Sequence, residues 1–95
     1  MNALEGDRVL RLAPGCRLSV SQDQEDVLLM PESVLKLKGP ARAILELCDG
    51  TRTLPGIVEE LKRKYPAADA TRIESETADL LGRLRDRGAV EYGAS

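Results

Sequence analysis

Between Leu37 and Tyr65 the chain changes its hydrophobic period once and then interrupts it once, and this confines it to few folds. Up to Lys38 apolar residues alternate; from Ala41 onward they recur at helical spacing, with Gly39-Pro40 at the switch. Proline suits a first helical turn, where its missing N–H would have no partner anyway. Ala41, Ile44, Leu45 and Cys48 form one stripe, and Asp49-Gly50 ends it at a residue that tolerates positive φ. Thr53 is placed to cap a second helix with Pro55 in its first turn. Leu54, Ile57, Val58, Leu61 and Tyr65 then fall at i, i+3, i+4, i+7 and i+11, and Pro66 stops the run. Two short helices around so tight a corner, followed by a third, predict a helix-turn-helix core.

What precedes this core reads as strands. Pro14-Gly15 is a turn signal. Cys16, Leu18 and Val20 alternate with Arg17, Ser19 and Ser21, the period of a half-buried strand. The polar run from Ser21 to Asp26 reads as a hairpin loop, and Val27-Leu28-Leu29-Met30 as a second strand closed by Pro31. Ser33 to Lys38 forms a third, with Leu35 and Leu37 on one face and Val34, Lys36 and Lys38 on the other. Residues 1–12 mix charge with isolated apolar positions and are expected to be an extended or mobile arm.

After the second helix, Thr71 and Glu74 have capping-box spacing. Ile73, Thr77, Leu80, Leu81 and Leu84 make a buried stripe, Gly88 fits the position just past the helix end, and Val90 and Tyr92 flank Glu91 in a short terminal strand. The expected architecture is α+β and winged helix-turn-helix-like: three N-terminal antiparallel strands, three helices, one short C-terminal strand. Ninety-five residues make one domain, spanning 1–95.

Composition removes whole classes of chemistry. There is no histidine, which takes away the commonest general base, metal ligand and physiological pH switch. No glycine-rich phosphate loop or paired-carboxylate arrangement is present, so no catalytic residue is assigned and an enzyme is not expected. Cys16 and Cys48 lack CxxC spacing and are too few for zinc; a bridge between them is left open. Neither a metal nor a cofactor is expected. With no Phe or Trp, the core must be built from small aliphatics, which favours a surface groove over a deep enclosed pocket. No apolar run approaches the ~20 residues of a membrane span, and no signal pattern opens the chain, so a cytoplasmic setting is expected.

The formal charge of −2 disfavours nucleic-acid binding. The rival reading for this architecture, a winged-helix DNA-binding regulator, would need a basic third helix. Here Arg72, Arg83, Arg85 and Arg87 are balanced by Glu74, Glu76, Asp79 and Asp86, and those acids would meet phosphate repulsion.

Several segments in order carry a resemblance. They are Arg11-Leu12-Ala13-Pro14-Gly15-Cys16-Arg17-Leu18, Leu29-Met30-Pro31-Glu32, Leu37 with Gly39-Pro40-Ala41, Ile44-Leu45-Glu46-Leu47-Cys48-Asp49-Gly50-Thr51-Arg52, and the ending from Leu80 to Tyr92. Over roughly residues 8–92 the chain resembles the PqqD family (coenzyme PQQ synthesis protein D), whose members are recognition elements for ribosomally made, modified peptides. The resemblance implies a non-catalytic peptide chaperone in pyrroloquinoline quinone biosynthesis. Such a protein binds the precursor peptide PqqA and presents it to PqqE, a radical-SAM enzyme that joins a Glu and a Tyr of that peptide. A PqqD-like role in another peptide pathway stays open.

The resemblance also implies where the guest lies: as a strand added to the third strand, leaning on the third helix. The candidate peptide-binding residues are therefore Val34, Leu35, Lys36, Leu37 and Lys38 with Ile73, Thr77, Leu81 and Leu84. Strand addition draws affinity from main-chain hydrogen bonds at an open edge and specificity from side-chain pockets. Lys36 and Lys38 suit either protection of that edge against aggregation or contact with guest carboxylates. Most of the third-helix stripe must be core, with Leu81 or Leu84 left to floor a groove. The same open edge also admits strand exchange between copies, and so a homodimer.

Overall fold

The computed structural model describes residues 6–93. In chain order these form β1 (Val9–Leu12), β2 (Arg17–Val20), β3 (Asp26–Leu29), β4 (Val34–Lys36), α1 (Ala41–Glu46), β5 (Asp49–Thr53), α2 (Leu54–Lys64), α3 (Ala70–Asp86) and β6 (Val90–Tyr92). The class is α+β, and the three expected N-terminal strands form one antiparallel sheet, ordered β2-β3-β4.

A second antiparallel sheet, ordered β5-β1-β6, was not anticipated. Its middle strand is Val9–Leu12, within the stretch expected to be an arm. Those residues are paired on both sides: Val9 opposite Thr53 and Leu10 opposite Arg52 in β5, and Leu10 opposite Tyr92 and Leu12 opposite Val90 in β6. Leu10 is fully buried, and Arg11 pairs with Glu91 across the sheet at 2.6 Å. The part of the arm reading that concerns residues 1–5 falls outside the described residues.

The corner between α1 and α2 is likewise more than a turn. Asp49–Thr53 is a strand whose register with β1 jumps between Leu10 and Arg11, leaving Gly50 and Thr51 bulged out. Gly50 sits there at φ 86°, a conformation that side chains with a Cβ avoid. The Asp49 carboxylate holds the bulge by accepting from the Thr51 N–H and hydroxyl and from Arg52.

The helix ends follow local chemistry with one exception. The Thr53 hydroxyl caps α2 by accepting from the Gly56 N–H at 3.3 Å. The cap of α3 is Asp69 rather than the expected Thr71. One Asp69 oxygen accepts from the Thr71 and Arg72 N–H groups at 2.9 and 3.3 Å, while Glu74 reaches Lys62. At the other end of α3 the Ala89 N–H donates to the Leu84 carbonyl and the Gly88 N–H to that of Arg85, a Schellman closure with Gly88 at φ 80°.

The core joins both layers. Leu10 and Val90 from one sheet and Leu28 from the other meet Ile44, Leu45, Ile57, Leu61, Leu81 and Leu84 from the helices, all at most 2 % exposed. Each such side chain contributes about 1.5–3 kcal/mol by leaving water. Cys16 and Cys48 are both free thiols, which closes the question of a bridge between them. No helix among the described residues is long and apolar enough to cross a membrane.

Candidate peptide-binding site

β4 is an edge strand, and its hydrogen bonds reveal which main-chain groups it leaves open. It pairs with β3 so that Leu28 faces Leu35 and Val27 faces Lys36. The Leu37 N–H donates to the Asp26 carbonyl at 2.9 Å, and Met30 and Ser33 exchange bonds at 2.9 and 3.4 Å. In an antiparallel ladder the bonded pairs recur every second residue. Ser33, Leu35 and Leu37 therefore turn their main-chain groups inward to β3, and Val34 and Lys36 turn theirs outward. The edge ends where the Lys38 carbonyl accepts from the Ala41 N–H at 3.2 Å and Gly39 turns the chain at φ 59°. Only the run 34–36 is strand, shorter than the expected Ser33–Lys38.

The side chains sort with the same period. Leu35 and Leu37 are half-buried against the core, whereas Lys36 and Lys38 are exposed and Val34 is 60 % exposed. An added strand would keep this alternation, placing every second side chain inward beside Leu35 and Leu37.

Inward of the edge runs a trough along α3, made of three adjoining hollows. The first, about 330 Å³, lies between Leu35–Lys38 and the C-terminal half of α3, with Leu80, Arg83, Leu84 and Arg87 on the helix side and Ala41 between them. The second, about 320 Å³, shares Lys38, Ala41, Leu80 and Arg83 and reaches Glu76 and Asp79. The third, about 430 Å³, lies between Gly39-Pro40 and the start of α3, with Tyr65, Ile73, Arg72 and Asp69 around it. α3 has 17 residues and so spans about 25 Å, far beyond the three residues of β4. A guest can continue past the strand it adds.

Of the residues expected from the sequence, Val34 to Lys38 form the edge and one wall of the trough. Ile73 lines its far end and Leu84 contributes to its floor. Two do not face it. Leu81 is 0 % exposed and belongs wholly to the core; Thr77 is 1 % exposed and borders only a cleft of about 30 Å³ beside Ile44 and Leu61. The cause is helix phase: the trough meets α3 along 72/73, 76, 79/80, 83/84 and 87, and positions 77 and 81 point into the α1–α2 side. Leu80, Arg83, Arg87, Ala41, Pro40 and Tyr65 were missed. For Leu80, Arg83 and Arg87 the signal was the same i, i+3, i+4 ladder drawn one position further around the helix; Pro40, Ala41 and Tyr65 lie outside α3, and only the packing brings them to the trough.

The charges along the trough are unevenly shared. Lys36 lies 3.4 Å from Glu25, and Arg72 pairs with Glu76 at 3.1 Å. Lys38, Arg83 and Arg87 have no carboxylate partner among the described residues. Arg83 donates only to the Asp79 carbonyl one turn back, at 3.4 Å.

Comparison with known proteins shows what the chain as a whole is similar to. The family model for coenzyme PQQ synthesis protein D (PqqD) matches residues 25–90. A protein of Methylococcus capsulatus named PqqA binding protein is 39 % identical, over 93 % of this chain and 92 % of its own length. A protein of the same name from Xanthomonas oryzae pv. oryzae is 33 % identical, over 92 % and 95 %. Among solved structures, the solution NMR structure of the PqqD truncation of Methylobacterium extorquens PqqCD, described as a functional and stand-alone RiPP recognition element, superimposes with a TM-score of 0.76 at 34 % identity, covering 95 % of this chain and 96 % of that one. The crystal structure of PqqD from Xanthomonas campestris gives a TM-score of 0.54 at 30 % identity over 90 % and 94 %. With sequence matched along nearly its whole length and the same arrangement of elements, the chain belongs to the PqqD family.

Proposed function

We propose that this chain is a peptide chaperone of pyrroloquinoline quinone biosynthesis: it binds the precursor peptide PqqA and presents it to the radical-SAM enzyme PqqE in the cytoplasm. The observation that carries the reading is the open β4 edge, with Val34 and Lys36 directing their main-chain groups outward beside an apolar trough. Relatives named for PqqA binding support the choice of guest. PqqA adds as a strand along Val34–Lys36 and rests its inward side chains on Leu35, Leu37, Leu80 and Leu84.

The chain itself supplies no catalysis. Burial pushes the Cys48 thiol up to about 12, so it holds its proton at neutral pH and is no nucleophile. Its role is to raise the local concentration of a flexible peptide at the enzyme and to fix which part of it is exposed. Strand exchange between two copies would compete for the same edge, so the peptide-competent form is the monomer.

The test is PqqE turnover on PqqA with and without this chain. Cross-linked peptide should accumulate only, or far faster, when the chain is present. Equal turnover without it, or binding to duplex DNA in place of peptide, contradicts the reading.

A further inference from the structure

We propose that the trough selects its guest by charge: the segment that adds to β4 turns acidic as well as aliphatic side chains inward, and Arg83 and Arg87, with Lys38, are the side chains that choose it. The proposal rests on the peptide-binding reading above and specifies the chemistry of the peptide. The β4 end of the trough carries Lys36, Lys38, Arg83 and Arg87 and no acid. Three of these four cations have no carboxylate partner among the described residues.

The helix macrodipole gives a reason for basic residues near the end of α3, and Arg85 meets it equally well. Arg85, however, lies over the Tyr92 ring at 4.4 Å, on the other sheet. The dipole does not require the remaining two to share one groove with Lys38. Edge protection likewise accounts for the lysines on β4 but not for arginines on a helix. What unites Lys38, Arg83 and Arg87 is the hollow they line, whose floor of Leu35, Leu37, Leu80 and Leu84 takes aliphatic side chains.

The far end is different in sign. Asp69 and Glu76 line it, with Arg72 already engaged by Glu76, and Asp79 lies between the two ends. A carboxylate-bearing segment is thus attracted at the β4 end and repelled beyond Asp79. This asymmetry fixes where along the trough the acidic part of the guest sits, and so which way the peptide runs. Opposite charges steer encounter and fix register more than they add affinity, which is what a presenting protein needs.

The experiment is calorimetric titration of the full chain with three short synthetic peptides of the repeat Val-Ser-X-Ser, X being Glu, Gln or Lys so that Val and X share one strand face, and with PqqA itself. Wild type should bind the Glu peptide about tenfold more tightly than the Gln peptide at low salt, and the gap should close as salt is raised. The R83E/R87E variant should reverse the order in favour of the Lys peptide and weaken PqqA about tenfold. R83Q/R87Q, which adds no repulsion at the helix end, should abolish the Glu-over-Gln preference while circular dichroism stays unchanged. PqqA binding with no Glu preference, or R83Q/R87Q binding PqqA as wild type does, overturns the proposal and leaves the peptide-binding reading intact. No binding of PqqA by wild type overturns both.

Discussion

Leu80 and Leu81 are neighbours in sequence and opposites in consequence. Leu81 is wholly buried, so Leu81→Ala should leave a cavity and cost about 2–5 kcal/mol in denaturant unfolding. Leu80 is half-buried along two hollows of the trough, so Leu80→Ala should cost about 1 kcal/mol of stability yet weaken PqqA binding about tenfold in titration. At Cys48-Asp49 two adjacent groups are shifted in opposite directions. Burial, with Asp49 adding to it, raises the thiol from 9.0 to about 12. The unfolded thiol loses its proton first, so the stability this group lends is intact below pH 9 and lost as pH rises toward 12. The Thr51 hydroxyl foremost, then its N–H and Arg52, lower Asp49 from 3.8, so its contribution is present above that pH and lost on acidification below it. Urea unfolding across pH should show a plateau falling at both ends. Cys48→Ala should flatten the alkaline fall and leave the acid one.

Among the elements, β4 was legible and β5 was not, for reasons that lie in their residues. Val34 to Lys38 alternates apolar with cationic, and a strand with one wet face must do so; its faces could be read without knowing its partner. Asp49-Gly50-Thr51-Arg52-Thr53 has turn chemistry because it does turn, through a bulge, and only its pairing with β1 some forty residues earlier makes it a strand. The third-helix stripe was visible, but which edge of it faced the trough depended on where α1 and α2 pack, which periodicity does not encode. That is why Leu81 and Thr77 were chosen over Leu80 and Arg83. For β4 the ladder makes a sharp prediction. Lys36→Pro removes an N–H that points outward, which an edge strand tolerates, and should weaken PqqA roughly three- to tenfold with little loss of stability. Leu35→Pro removes an N–H that points to β3 and should destabilise the fold by about 1–3 kcal/mol. Melting curves and titration of the pair separate the two effects.

Among the described residues two small sheets and three helices share one core, with β1 at the centre of one sheet and β4 at the edge of the other. Val9–Leu12 escaped the sequence reading because a four-residue strand with apolar residues at three positions and one arginine shows no clean alternation, and its partners lie at residues 49–53 and 90–92. Its position predicts that a chain starting at Ala13 loses the cooperative thermal transition, since β5 and β6 then have no common neighbour and Leu10 leaves the core. Retention of a sharp melt would return this strand to the role of an arm. The proposed function turns on the opposite property of β4, a strand paired on one side only among the described residues. Amide hydrogen exchange, residue by residue, on free and PqqA-saturated protein addresses this directly. The Leu35 and Leu37 amides should be protected in both states, and the Val34 and Lys36 amides should exchange rapidly when free and become protected on binding. Saturating PqqA that leaves Val34 and Lys36 unprotected would contradict strand addition at this edge.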